Sequence, residues 1–238
     1  MARRSLKAVK THKLPYRPAR HGDAVDRGLA LRIAQGHAAH RELVLAQGQV
    51  LRDARLEELL AEHRPSLYLT TSVLHNPTGH SFSPSQAFRL LQLTRQYHCH
   101  IVEDDLYGDL HPNPPPRLAA LAGLEQVTYL SGFSKILSAN TRVSYVVAAP
   151  QLAANLTNMK LMSGGVTSEL FEQLVYRLLS EGSYARHRKR MVQRLLEAGA
   201  RVEQWLRRCG CELPMGYEAG MFLWARLPAG VNAEQLAE

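Results

Sequence analysis

The stretch Leu67-Tyr-Leu-Thr-Thr-Ser-Val-Leu-His-Asn-Pro-Thr-Gly79 joins a short apolar run to a polar turn, and the chain repeats this arrangement twice more. The polar clusters Glu103-Asp-Asp-Leu-Tyr107 and Ser131-Gly-Phe-Ser-Lys135 also follow short apolar runs, and Arg142 comes soon after the second cluster. Open α/β sheets bind ligands beyond the carboxyl ends of their strands. The three clusters therefore predict that asparagine, aspartate, tyrosine and lysine side chains meet at one edge of a sheet.

Between these clusters, strand patterns alternate with helix patterns. Strands are predicted at residues 67–73, 100–104, 127–131 and 143–148. The sequence Ser83-Pro-Ser-Gln86 is typical of a helix start in which Ser83 and Gln86 cap each other and proline takes the first helical position. Strands separated by helices imply a mainly parallel sheet.

Apolar spacing and capping residues predict helices over residues 53–63, 118–121, 151–162, 168–179 and 183–209. The alternating stretch at residues 221–227 predicts a further strand. The first fifty residues contain one helix pattern, at residues 24–45, and no function is assigned to that segment. His37 and His40 have the spacing of a metal-binding pair but lack a third ligand, so a solvated helix face is favoured and no metal is expected.

In this order, the three polar clusters resemble those of class I/II aminotransferases with the type I pyridoxal phosphate fold. They are most similar to the aminotransferase-like domain of MocR/GntR-type bacterial proteins, from about residue 53 to the end. The resemblance implies an α/β fold: an incomplete three-layer large domain with a mainly parallel sheet, then the start of a small α+β C-terminal domain. The implied division is an unassigned basic segment at residues 1–50, a partial cofactor-binding domain at 51–182, and a connecting helix with a partial small domain at 183–238.

The resemblance also implies pyridoxal 5'-phosphate as the cofactor. Lys135 matches the catalytic lysine that holds this cofactor as an imine and whose released amine then acts as a general base. Asp104 matches the carboxylate that keeps the ring nitrogen protonated, which strengthens the ring as an electron sink. Tyr107 and Asn76 match the two donors to the phenolic oxygen of the ring.

Arg142 and Ser134 match the side chains that hold the cofactor phosphate, a role that suits the planar guanidinium group. Gly132 occupies a position that is serine in many relatives, so one phosphate contact is expected to be absent. Asp105 lies one residue beyond Asp104 and is therefore expected on the opposite side of the strand. No cofactor role is predicted for Asp105.

Each cluster taken alone has an ordinary structural explanation. The residues of Asn76-Pro-Thr-Gly79 are common in turns. Asp104 and Asp105 would suit a solvated strand end, and Lys135 would suit the protein surface. The combination of all three clusters in this order favours a cofactor site over these alternatives.

The 238-residue chain has a formal net charge of +8, and a basic balance is often found in proteins that bind nucleic acid. Much of this charge lies near the amino terminus and in the helix predicted at residues 183–209. Basic residues of that helix alternate with apolar residues at helical spacing. This pattern favours the solvated side of an amphipathic helix over nucleic-acid binding.

No apolar run approaches the ~18 residues of a membrane span, and no secretory signal is evident, so a cytoplasmic protein is expected. The three cysteines, Cys99, Cys209 and Cys211, lack the spacing of metal ligands and are expected to be reduced.

The resemblance predicts a homodimeric aminotransferase that transfers an amino group between an amino acid and a 2-oxo acid. Two alternatives stay open: the effector domain of a MocR/GntR-type transcription regulator, and an inactive remnant. Nothing in residues 1–66 matches the glycine-containing phosphate loop of the family. The resemblance also implies an arginine that binds the substrate carboxylate, and this arginine is expected well beyond the strand at residues 221–227 and past residue 238. We therefore expect a fragment that turns over amino acids poorly or not at all.

Overall fold

A six-stranded sheet forms the centre of the computed structural model, which describes residues 29–33, 42–47, 53–163, 165 and 167–233. The strands lie side by side in chain order and are β1 (Leu29–Ile33), β2 (Glu42–Gln47), β3 (Leu67–Thr70), β4 (His100–Asp104), β5 (Val127–Gly132) and β6 (Ser144–Val147). Strands β2 to β5 are parallel, and β1 and β6 are each antiparallel to their neighbour. The mainly parallel α/β sheet is thus confirmed.

Six α-helices lie in the described part of the chain: α1 (Asp53–His63), α2 (Pro84–Gln96), α3 (Leu118–Ala122), α4 (Pro150–Met162), α5 (Glu169–Ser180) and α6 (Ser183–Arg208). The capping box predicted for α2 is confirmed. The Gln86 amide donates to Ser83 Oγ at 3.2 Å, and the Ser83 amide donates to Gln86 Oε1 at 2.8 Å. These two bonds satisfy amide groups that the helix itself leaves without a partner.

The connection between β5 and β6 explains why β6 runs antiparallel to β5. It contains a turn and a short 3₁₀ helix at Ala139–Thr141, but no α-helix. A parallel crossover needs about a dozen residues or more and usually includes an α-helix. The connections into β4 and β5, by contrast, contain α2 and α3, and both strands are parallel to their predecessors.

The buried side chains form two apolar clusters. The first lies among α1, α2, α3 and the sheet, and it includes Leu60, Leu90, Leu93, Ile101 and Val127. The second lies at the carboxyl ends of the strands and joins the loops there to α6; its buried members are Val73, Leu74, Tyr107, Leu110, Ile136, Tyr184 and Ala219. The second apolar cluster therefore packs at the carboxyl edge of the sheet, next to the three polar segments that follow the strands.

The helix predicted at residues 24–45 is wrong where the structure describes it, because residues 29–33 and 42–47 form strands. β1 and β2 pair with each other, and β2 also pairs with β3. Pairing of this kind depends on neighbours that are distant in sequence, and it overrides a local helix pattern. β2 lies before the domain boundary predicted at residue 51 and β3 lies after it, so their pairing joins the two predicted segments in one sheet. His37 and His40 lie outside the described residues.

The strand predicted at residues 221–227 is also wrong. Its one β-type contact in the described part of the chain is an isolated antiparallel bridge between Arg226 and Glu212. The small C-terminal domain therefore stays a prediction. Strand β3 ends at Thr70, earlier than expected, because Ser72 and Leu74 already hydrogen-bond to residues 81 and 82 after the turn.

Among the described helices, none combines the length and the apolar composition needed to cross a membrane. All three cysteines are free: Cys99 and Cys211 are buried and Cys209 is exposed. Burial raises the pKa of the Cys99 thiol to about 12, which keeps it protonated at neutral pH.

Candidate active site

Three loops, which follow β3, β4 and β5, bring a set of polar side chains together at the carboxyl edge of the sheet. The Asn76 side-chain amide donates to Tyr107 Oη at 3.5 Å. The Lys135 ammonium nitrogen lies 5.4 Å from the centroid of the Tyr107 ring. Tyr107 is thus the central residue, in contact with side chains from both neighbouring loops.

The loop after β3 is a tight polar turn that displays Asn76 at its tip. The Gly79 amide donates to the His75 carbonyl at 2.7 Å, and the His75 amide donates to the His80 carbonyl at 2.8 Å. Gly79 has a φ of +70°, a conformation that favours glycine. Asn76 is exposed while its neighbour His75 is buried, so the turn is anchored on one side and open on the other.

The buried imidazole of His75 holds the turn from inside, where its Nδ1 forms a hydrogen bond with Thr78 Oγ1 at 3.0 Å. Burial, together with the nearby His80, lowers the pKa of His75 to about 4. The imidazole is therefore neutral at physiological pH. Sequence reasoning did not single out this histidine, although it directly precedes Asn76.

We expect the turn to lose stability in acid because of His75. The unfolded chain binds a proton near pH 6.5 and the folded chain only near pH 4, so the stabilisation is complete above pH 6.5 and falls toward pH 4. The loss should be roughly 1–3 kcal/mol. Urea unfolding from pH 4 to 7 should show a shallower pH dependence for His75→Asn, and an unchanged one for His98→Asn, whose side chain is exposed. Equal slopes in His75→Asn and the original chain would contradict this assignment.

Asp104 ends β4 with its side chain half-buried, and its Oδ1 accepts a hydrogen bond from the Leu106 amide at 3.1 Å. Burial raises the pKa of Asp104, the Leu106 amide opposes this rise, Asp105 adds to it, and the Lys135 ammonium opposes it. A carboxylate in this setting is stabilised by a cationic partner. The position therefore fits the role of partner to a protonated ring nitrogen.

Asp105 lies away from this group, in a buried network behind the loop. Its Oδ2 accepts hydrogen bonds from Arg117 Nε at 2.7 Å and from Tyr129 Oη at 2.6 Å. Burial by itself lowers the pKa of Arg117, but the Asp105 carboxylate more than offsets this, so the net change is upward. Gly108 leaves space for the network, because a Cβ there would lie 2.0 Å from Asp105 Oδ1.

Glu103 is a third acid in the same run, and sequence reasoning assigned it no role. Its side chain is completely buried, where it accepts hydrogen bonds from the Ser72 hydroxyl and from the amides of Leu118 at 2.9 Å and Ala119 at 3.0 Å. It therefore caps the amino terminus of α3, because its two oxygens accept from amides of the first turn that the helix itself leaves without a partner. The alternation of side chains along β4 is the sequence signal for this burial, because it places Glu103 on the same face of the strand as the core residue Ile101.

The loop after β5 carries Lys135 and Ser134 in a single turn, in which the Leu137 amide donates to the Phe133 carbonyl at 2.9 Å. Lys135 is exposed, whereas the next residue, Ile136, is buried. The Ile136 carbonyl accepts a hydrogen bond from His187 Nε2 of α6 at 2.8 Å. The lysine is thus presented from a turn that is anchored on both the sheet and α6.

Ser134 and Arg142 are placed differently from the other predicted site residues. Arg142 is exposed and lies just after the short 3₁₀ helix, with a left-handed φ of 51°. Across the described ranges, neither side chain forms a hydrogen bond with Asn76, Asp104 or Tyr107. The geometry therefore joins Asn76, Tyr107 and Lys135, with Asp104 beside them, and leaves the phosphate role of the other two as a prediction.

Gly132, where serine was expected from the resemblance, has no room for a side chain. It pairs with Ser144 of β6, and a Cβ at residue 132 would lie 2.9 Å from the Ser144 Cβ and 3.1 Å from the Val143 carbonyl oxygen. The close approach of β6 therefore explains why glycine fits here.

Helix α6 connects to the site through Tyr184 and through Arg188, one of the basic residues that the sequence pattern places on a solvated face. Arg188 is half-buried and donates to the carbonyls of Asp109 at 2.8 Å and His111 at 3.0 Å, while the Tyr184 hydroxyl donates to the Asp109 carboxylate. These bonds hold the loop that follows Tyr107. Arg188 is thus a structural contact of the site, whereas Arg190 and Arg194 are exposed as expected.

Comparisons with known proteins identify the family of this chain. The sequence model of the family "Aminotransferase class I and II" matches residues 42–238. The chain is 36% identical over 193 residues to the 2-aminoadipate transaminase of Thermus thermophilus, a match that covers 76% of this chain and 47% of that protein. It is 31% identical over 166 residues to the Escherichia coli K12 HTH-type transcriptional regulator YdcR, covering 68% of this chain and 35% of the regulator.

Among solved structures, the α-aminoadipate aminotransferase LysN of Thermus thermophilus, complexed with N-(5'-phosphopyridoxyl)-L-leucine, superposes with a TM-score of 0.70 at 32% identity. That match covers 81% of this chain and 51% of LysN. The chain thus spans about half the length of the aminotransferases named here, and less of the regulator. Because the family match includes well over half of the chain, the protein belongs to the class I and II aminotransferases.

Proposed function

We propose that this chain is part of a pyridoxal-phosphate-dependent aminotransferase that moves an amino group between an amino acid and a 2-oxo acid. The observation that carries the proposal is that Tyr107 meets two side chains at the sheet edge: the Asn76 amide contacts its hydroxyl, and the Lys135 amine lies over its ring. Asp104 adds a half-buried carboxylate nearby. An amide, a phenol, an amine and a carboxylate together fit the polar groups around a pyridoxal ring.

In this proposal each side chain has a distinct task. The Lys135 amine would hold the cofactor and would later move the α-proton of the substrate. The Asp104 carboxylate would keep the proton on the ring nitrogen, and the cofactor, when bound, would supply the electron sink. Tyr107 and Asn76 would donate hydrogen bonds to its phenolic oxygen. Ser134 and Arg142 would bind its phosphate.

The test is to add pyridoxal phosphate to the purified chain and then a panel of amino acids that includes 2-aminoadipate and aromatic amino acids. We expect the visible absorbance of the bound cofactor to change when an amino donor is added, with only slow formation of the matching 2-oxo acid, because poor turnover is expected of this chain. Binding without any donor-dependent change would contradict the transaminase proposal for this chain.

A second function, ligand sensing in a transcription regulator, is supported by similarity to two HTH-type regulators. Besides YdcR, the chain is 28% identical over 166 residues to YisV of Bacillus subtilis 168. The same side chains would then bind the cofactor and an amine without release of product. Amino-acid-dependent spectral change with no 2-oxo acid formed, even with an added acceptor, would favour this second function.

We also infer a homodimer, supported by the apolar surface of α4 and α5. The side chains of Leu170 and Leu174 on α5 and of Leu161 and Met162 on α4 are 44–89% exposed. Fully burying one such side chain stabilises by about 1.5–3 kcal/mol. Sedimentation should show a dimer whose dissociation constant rises at least ~10-fold in Leu170→Glu but not in Leu121→Glu, an exposed leucine on α3. A monomer at tens of micromolar would contradict this proposal.

A further inference from the structure

A short segment, residues 217–222, packs against the candidate site from outside the sheet. The ring of Phe222 meets the ring of Tyr107 edge to face, with centroids 5.1 Å apart and planes at 74°. The backbone of Phe222 also lies against Gly79, where an added Cβ would be 2.8 Å from the Phe222 carbonyl oxygen. One residue of this segment therefore touches both Tyr107 and the turn that displays Asn76.

Other residues of the same segment contact the loops on either side. A Cβ at Gly220 would lie 2.9 Å from Leu74 Cδ1, so the segment also packs on the residue just before the Asn76 turn. Glu218 Oε1 accepts a hydrogen bond from His111 Nε2 at 3.0 Å, which links the segment to the loop after Tyr107. Residues 217–222 thus reach both loops that supply the Asn76–Tyr107 pair.

The segment is held in turn by helix α6. The ring of Tyr217 fills the space beside Gly199, where an added Cβ would lie 2.0 Å from Tyr217 Cζ. The Tyr217 hydroxyl donates to the Leu195 carbonyl at 2.7 Å, and the Gly220 carbonyl lies 3.1 Å from it. Glycine is required at residue 199 for space, because any side chain there would displace the tyrosine ring.

We propose that residues 217–222 position Asn76 and Tyr107 relative to each other, and that Tyr217 and Gly199 are the positioning residues that set this segment. The hydrogen bond between Asn76 and Tyr107 is long, at 3.5 Å, and so contributes little to holding two separate loops together. The contacts of the segment supply that constraint. The proposal rests on the proposed function in one respect: the expected effect on cofactor binding assumes that Asn76 and Tyr107 donate hydrogen bonds to pyridoxal phosphate.

The test uses Gly199→Ala, with Arg201→Ala as the matched control at an exposed position of α6. Alanine is the better helix former, so the helix itself is not weakened. In the cofactor-free protein, we expect the amide NMR signals of Asn76 and Gly79 to shift in Gly199→Ala, while that of Ile101 in β4 stays in place. The dissociation constant for pyridoxal phosphate should rise at least ~10-fold, with a changed absorbance maximum of the bound cofactor.

Phe222→Leu provides a second variant that keeps apolar volume and removes the ring edge from Tyr107. If Gly199→Ala does not fold, the same NMR shifts are expected in Phe222→Leu. Unchanged Asn76 and Gly79 signals in the folded variants would overturn the positioning role. Failure of the original chain to bind pyridoxal phosphate would overturn the proposed function instead, while the cofactor-free NMR comparison would still decide the positioning role.

Discussion

Replacing Lys135 with alanine is expected to abolish covalent capture of pyridoxal phosphate by this chain. Its ammonium lies 5.4 Å from the centroid of the Tyr107 ring, on a turn anchored by Ile136. Borohydride reduces the imine between the cofactor and a lysine to a stable bond, so mass spectrometry after reduction and digestion locates the lysine. We expect the label on the Lys135 peptide, and none on the protein of the Lys135→Ala variant.

Lys160→Ala is the matched control, because Lys160 is an exposed lysine on α4 far along the chain from the site loops. It should be labelled like the original chain. If the original chain reacts with amino donors, loss of the Lys135 amine should slow that reaction by ~10²–10⁴-fold, the usual contribution of a general base. Label on a different lysine, or equal labelling of the Lys135→Ala protein, would show that the lysine has been misassigned.

Replacing Asp105 with alanine is expected to destabilise the fold by up to about 3–5 kcal/mol, because the change leaves the partly buried guanidinium of Arg117 without its carboxylate. Asp105 is 3% exposed and bonds to both Arg117 and Tyr129. The sequence predicts no cofactor role for Asp105, so this substitution should change the spectrum of the bound cofactor much less than Asp104→Ala does. Urea unfolding measures the change in stability directly.

Asp104→Ala is the matched comparison, one residue away on the other side of the chain. Asp104 is half-buried and burial raises its pKa, so its loss should change the stability of the cofactor-free protein little. It should instead weaken cofactor binding and alter the cofactor spectrum. Equal effects of the two substitutions on stability and on the spectrum would refute the separate roles assigned to these neighbours.

A third variant checks the physical reason for the Asp105 effect. Asp105→Leu combined with Arg117→Met removes both charges of the buried pair. Replacing a whole buried ion pair by apolar residues is often neutral or stabilising. The double variant should therefore recover much of the stability lost in Asp105→Ala, whereas no recovery would mean that the charge left on Arg117 is not the cause.

Local signals in the sequence were enough to predict several helices and strands. The Ser83–Gln86 capping box formed as predicted, and α1 and β4 have the predicted bounds. A hydrogen-bonded helix start and the two-residue period of a strand depend on neighbours a few positions apart. The opposite placement of Asp104 and Asp105 follows from that same period.

Contacts between distant segments could not be predicted from local patterns. Three examples join residues that no local pattern relates. They are the pairing of β2 with β3, the hydrogen bonds of the buried acids Asp105 and Glu103, and the contact of Tyr217 with Gly199. Local patterns in the sequence were enough to predict which chemical groups follow the strands. How firmly those groups are held depends on packing between segments far apart in the chain, because close-packed contacts form only when the whole fold brings both sides together.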